Sequence, residues 1–111
     1  MPTAYQLVSI YLNEADQWEH RPLHLEILEF LRRAGCSGGT VLRGLAGFTA
    51  GAGVDATSLV AGAGKSPVVV EFVERPEKVA EVMPTLCRMA GQRLITVQDV
   101  QVVHPPESSA P

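Results

Sequence analysis

Hydrophobic and polar positions change their period along the chain, and the changes mark out four strands and two helices. In YQLVSIYL, Tyr5 to Leu12, the residues Val8, Ile10 and Leu12 alternate with Leu7, Ser9 and Tyr11. That is the period of a strand with at least one buried face. Asn13 to Glu19 (NEADQWE) is polar and reads as a loop. From Pro22 the period lengthens, and Leu23, Ile27, Phe30, Leu31 and Ala34 form one helical stripe. Pro22 suits a helix start, where a missing N–H costs nothing. Glu26 and Glu29 precede Arg32 and Arg33, as the helix dipole favours, and Gly35 is a ready terminator. The first helix is therefore expected over Pro22 to Ala34.

Gly39 to Phe48 (GTVLRGLAGF) starts like a strand, and its Gly44 and Gly47 point to a bulge or a close backbone approach. Thr49 to Lys65 holds two Gly-Ala-Gly units and few polar side chains, which predicts a long flexible loop. Val68, Val69, Val70, Phe72 and Val73 make a nearly continuous apolar run, expected of a central strand covered on both faces. Pro76 opens a second helix with a stripe of Val79, Val82, Met83, Leu86, Cys87 and Ala90, closed by Gly91 and blemished by Pro84. In the last strand, Leu94 to Val103, Ile95 and Val97 are out of phase with Val100 and Val102, which predicts a bulge near Gln98 and Asp99.

The order strand, helix, strand, long loop, strand, helix, strand favours an α+β ferredoxin-like βαββαβ sandwich with both helices on one face. The other sheet face keeps apolar side chains, which argues for oligomer packing. At 111 residues the chain makes one domain, expected over residues 1–104 with a disordered tail at 105–111. The net charge of −3 argues against a nucleic-acid partner. Two cysteines make no disulfide framework, no apolar run reaches a membrane span, and no secretory signal opens the chain, so a cytoplasmic protein is expected.

Candidate chemistry is sparse. His20 and His24 stand four apart, a spacing that can place two imidazoles on one helix face, but no third ligand is fixed and two exposed polar residues are the simpler reading. Cys36 follows a helix C-terminus, which disfavours a thiolate, and Cys87 reads as core. Glu14, Asp16, Glu71 and Glu74 read as solvated charges. Arg43, beside Gly44 at the mouth of the long loop, is suited either to bidentate pairing with phosphate or carboxylate or to a salt bridge with a neighbouring subunit.

Arg21-Pro22-Leu23, Ala34-Gly35, Gly39 to Gly44, Gly47-Phe48, Pro67 to Glu71 and Asp99-Val100 together resemble the PII-like proteins of domain of unknown function family 190. The resemblance covers roughly residues 5 to 103, and TVLRG…GF is its most specific part. It implies a PII-like homotrimer of ferredoxin-like subunits that acts as a regulatory protein and not as an enzyme. Such a protein would bind an adenine nucleotide or small anion in inter-subunit clefts and contact a membrane transporter or channel through the long loop. Residue by residue, Thr40 matches a threonine lining the nucleotide cleft. Gly47 and Phe48 match the base of the loop, and Val69 and Val70 match the base pocket. The PII phosphate loop is shortened to Gly91-Gln92-Arg93, and Val102 and His104 stand where PII proteins carry two arginines. The resemblance therefore implies AMP, ADP or a cyclic nucleotide in preference to a trisphosphate, or loss of nucleotide binding altogether. Arg43 and Arg93, with backbone N–H groups near Gly44, Gly47 and Gly91, are the expected anion contacts. A metal-tolerance trimer of the CutA type and a small ferredoxin-like enzyme are the alternative readings.

Overall fold

A computed structural model describes residues 3–48 and 66–106 of the chain. The first strand, β1 (Thr3–Asn13), follows the alternation in its sequence: Val8, Ile10 and Leu12 are buried on one face. The stretch expected as a plain loop opens a miniature hairpin that runs on to Pro22. Its arms are β2 (Gln17–Trp18) and β3 (Arg21–Pro22), paired Gln17 to Pro22 and Trp18 to Arg21. Glu19 and His20 close it with φ of 51° and 68°. Two left-handed residues are what a two-residue hairpin turn requires, but Asn-Gly is its usual signature, so Glu-His hides it.

Helix α1 (Leu23–Arg33) buries Leu23, Ile27 and Leu31. Pro22, expected as the first helical residue, serves instead as its N-cap, and the Leu23 N–H donates to the Asp16 carbonyl at 2.8 Å. That distant carbonyl satisfies a donor that has no partner within the helix. Strand β4 (Thr40–Arg43) and strand β5 (Pro67–Glu74) follow, then helix α2 (Pro76–Ala90) and strand β6 (Ile95–Val102). Residues 49–65, expected as a long loop, and the tail beyond Pro106 lie outside the described residues.

The main sheet has the order β4-β5-β1-β6, and every pair is antiparallel. With two helices between its strands, this is the α+β ferredoxin-like sandwich. Val8, Ile10, Val70 and Phe72 meet Ile27, Leu31, Val82 and Leu86 in one core between the sheet and the helices.

Three expectations are corrected. On β5, residues 68, 70, 72 and 74 are buried while the alternate residues are half-buried or exposed, so the valine run is covered by protein on one face only. On α2 the buried stripe is Val79, Val82, Leu86, Met89 and Ala90, and Cys87 is exposed. Four-residue steps down the helix carry the stripe from Val82 through Leu86 to Ala90, with Met89 beside it. On β6 there is no bulge: its register with β1 runs unbroken from Thr3–Val102 to Ile10–Ile95. Ile95 and Val97 share the helix-facing side with Ile10 and Val8, whereas Val100 and Val102 share the open side with Tyr5 and Thr3. The phase change is a change of face.

Candidate functional site

The turn after β1 organises one end of the molecule. Asn13 carries both halves of a local cap: its N–H donates to Asp16 Oδ2 at 2.9 Å, and its Oδ1 accepts from the Ala15 N–H at 2.8 Å. The Asp16 N–H donates to the Asn13 carbonyl at 3.0 Å, and the Glu14 N–H donates to the Ser66 carbonyl at 2.8 Å. Asn and Asp favour such turns because their side chains bond the backbone two or three residues away.

Two arginines from distant elements converge on this turn. Arg43, at the end of β4, donates from Nη2 to Glu14 Oε2 at 2.5 Å. Arg93, in the turn between α2 and β6, donates from Nε to Asp16 Oδ2 at 2.8 Å and from Nη1 to the Ala90 carbonyl at 3.1 Å. The Arg43 side chain is 64% exposed and that of Arg93 34%, so Arg43 has the freer guanidinium. Exposed pairs of this kind are individually weak, about 0–1 kcal/mol.

Gly44 and Gly47 lie against Pro67. A Cβ on Gly44 would come within 3.0 Å of the proline ring and one on Gly47 within 3.3 Å, which is the close approach their positions predicted. The Gly44 N–H is committed to the Pro67 carbonyl at 2.7 Å and extends the β4–β5 ladder. Gly91 ends α2 with φ 62°, a conformation suited to glycine, and its N–H returns to the Cys87 carbonyl at 3.0 Å. These two amides are therefore occupied within the chain.

The other expected residues lie elsewhere. Thr40 sits opposite Glu71 on the open sheet face, at a groove of about 420 Å³ also lined by Tyr5, Val73 and Pro106. Val69 faces the open side, while Val70 is fully buried in the core and lines no surface. Phe48 is exposed beside the segment that is not described. The structure thus brings Arg43, Gly44 and Gly47 together and joins Arg93 to them through the Asn13–Asp16 turn, apart from Thr40.

His20 is exposed in the hairpin and His24 lies in the first turn of α1, with Nδ1 buried and without a hydrogen-bond partner. No group of three His, Cys, Asp or Glu able to hold a metal occurs among the described residues. Burial, reinforced by the Glu74 carboxylate, pushes the Cys36 thiol up.

The reading of Glu14, Asp16 and Glu74 as solvated charges is corrected. Glu14 and Asp16 pair with arginines 29 and 77 residues away, so no spacing signal foretells them. Glu74 is buried and accepts both the Ser37 N–H at 2.7 Å and the Ser37 hydroxyl at 2.9 Å.

Comparison with known proteins gives the chain's family and fold relatives. The family model DUF190, described as an uncharacterized ACR, matches residues 5–102. A UPF0166 protein of Methanocaldococcus jannaschii is 31% identical over 98 residues, spanning 87% of this chain and 90% of its own. CPII from Thiomonas intermedia K12, solved bound to ADP, AMP and acetate, superposes with a TM-score of 0.67 at 19% identity, covering 95% of this chain and 94% of that one. The same protein, called a nitrogen regulatory PII-like protein and bound to ADP, AMP and bicarbonate, superposes with a TM-score of 0.64 at 20% identity, covering 96% and 100%. At those identities the likeness is one of fold.

Proposed function

Since the chain belongs to the DUF190 family and has the fold of PII-like proteins, we propose that it is a trimeric, non-enzymatic regulatory protein. It binds an adenine nucleotide or small anion in clefts between subunits and contacts a partner, such as a membrane transporter or channel, through the segment between β4 and β5. It works in the cytoplasm. No helix among the described residues is long and apolar enough to cross a membrane.

One observation carries this reading. Arg43 and Arg93, distant in sequence, are drawn to one end of the sheet on either side of the same turn. Arg43 ends a strand, next to the glycines packed on Pro67, and its guanidinium is largely open to solvent. A planar guanidinium so placed suits a phosphate or carboxylate. The ADP, AMP, acetate and bicarbonate bound by CPII are ligands of that chemistry.

Calorimetric titration of AMP, ADP, ATP, acetate and bicarbonate into the purified protein tests it. Binding of at least one nucleotide is expected, weakened about tenfold or more in Arg43→Ala, since a hydrogen bond to a charged group is worth about 1.5–3 kcal/mol. Arg43→Lys keeps the charge but loses the fork and should weaken binding as well. An Arg43→Ala trimer that binds each ligand as the parent does removes Arg43 from the site.

A further inference from the structure

The guanidiniums assigned to anion binding already hold anions of the chain's own. Arg43 is bonded to Glu14 and Arg93 to Asp16, and both carboxylates come from the single turn Asn13–Asp16. The two pairs, one guanidinium and one carboxylate each, together carry no net charge. We propose that Glu14 is a specificity-determining residue: its carboxylate, held beside Arg43, biases the site against the most highly charged ligands and towards nucleoside mono- and diphosphates over trisphosphates. The proposal rests on Arg43 being an anion contact.

The argument turns on what Glu14 can and cannot do when a ligand arrives. Its bond to Arg43 is a partly exposed ion pair, which any phosphate can displace at small cost. A guanidinium also has five N–H donors, so Arg43 can serve a phosphate and a carboxylate at once. The carboxylate cannot withdraw far. The Glu14 backbone is tied to Ser66, and the turn around it is closed by the Asn13 and Asp16 bonds. Displaced from the guanidinium, the carboxylate still stays within side-chain reach of that turn, so a phosphate on Arg43 keeps a negative charge nearby. The hydrogen bonds of the Arg43 fork can be made by a single phosphate and are common to all three ligands. With Glu14 beside it, the guanidinium offers each added phosphate little net attraction. That attraction would grow with ligand charge if Glu14 were neutral.

Asp16 adds charge of the same sign but does structural work as well. Its side chain accepts the Asn13 N–H and its carbonyl accepts the Leu23 N–H that starts α1. Glu14 carries no such duty through its side chain, so it is the residue to change.

The experiment is calorimetric titration of AMP, ADP and ATP into the parent, Glu14→Gln, Glu14→Ala and Arg43→Ala, at low and at physiological ionic strength. Removing one negative charge a few ångströms from the phosphates should raise the ATP-to-AMP affinity ratio about three- to tenfold in both Glu14 variants, with a smaller gain at the higher salt. An unchanged ratio in both overturns the proposal. So does an equal gain for all three nucleotides, which would make Glu14 a mere competitor for Arg43. If the ratio is unchanged but Arg43→Ala still loses nucleotide, the specificity role alone falls. If the parent binds no adenine nucleotide, the nucleotide reading falls and takes the specificity role with it.

Discussion

Glu74 shows how much one side chain can organise. It is only 9% exposed, and a single oxygen, Oε2, accepts both the N–H and the hydroxyl of Ser37. Those bonds hold the segment after α1 onto the end of β5, just before β4 begins. Because hydrogen bonds to charged groups are worth about 1.5–3 kcal/mol each, Glu74→Ala should lower stability by about 2 kcal/mol or more, read as a lower urea midpoint with an unchanged slope. The two cysteines make a second test. Cys87 is exposed, while Cys36 is half-buried with its thiol raised by burial and then by Glu74. The thiolate is the reactive form. Iodoacetamide should therefore label Cys87 first at neutral pH, and Cys36 should react only as the pH rises past the ordinary thiol range, about 8.5. Mass spectrometry of the labelled chain reads both rates, and equal rates at neutral pH would contradict the account. The chemistry at this scale was only partly legible in the sequence. Arg43 stood out because it is an isolated cation between glycines. Glu14, Asp16 and Glu74 did not, because a carboxylate in a polar stretch looks the same whether it is solvated or paired with a residue brought close only by folding.

At the scale of elements, periodicity carried most of the information. The alternation in β1 and the helical stripe of α1 translate directly into their buried faces. Where reading from pattern failed, the cause was a rule other than burial. On β6 the apolar residues change face without any break in register, because they are sorted between the helix side and the open side. The small hairpin β2–β3 escaped notice because Glu19-His20 is not one of the Asn-Gly or Asp-Gly pairs that mark a two-residue hairpin turn. That hairpin leads directly into α1, whose first N–H is bonded to Asp16, so its conformation matters to the helix start. Left-handed backbone costs a residue with a Cβ about 1–2 kcal/mol. Replacing the pair by Glu19→Asn with His20→Gly should therefore stabilise the protein by about 1 kcal/mol, after allowing for the added freedom of glycine in the unfolded chain. Thermal melts of parent and double variant measure the gain, and a lower melting temperature would show that the two side chains do more than occupy a turn.

At the scale of the whole molecule, both helices among the described residues pack on one face of the sheet. Register places Leu42 of β4, Val69 and Val73 of β5, Leu7 and Tyr11 of β1, and Val100 and Val102 of β6 on the other side. Leu42 is 50% exposed and Tyr11 and Val73 are close to 40%. Both helices pack on the opposite face, and the proposed oligomer would cover this one. Soluble monomers rarely leave so continuous an apolar surface in water. The proposed trimer would supply the cover, and it would also complete the inter-subunit clefts of the proposed nucleotide site. Light scattering at micromolar concentration should give about three times the 11.9 kDa of one chain. Leu42→Asp puts a charge into the proposed interface from an edge strand, where the fold of a single chain can accommodate it. It should shift the particle towards monomer with little change in far-ultraviolet circular dichroism, because a buried unpaired charge costs far more than an exposed one. It should also abolish nucleotide binding although Arg43 and Arg93 are intact. A parent that scatters as a monomer would refute the trimer. A Leu42→Asp protein that remains trimeric would place the interface away from β4.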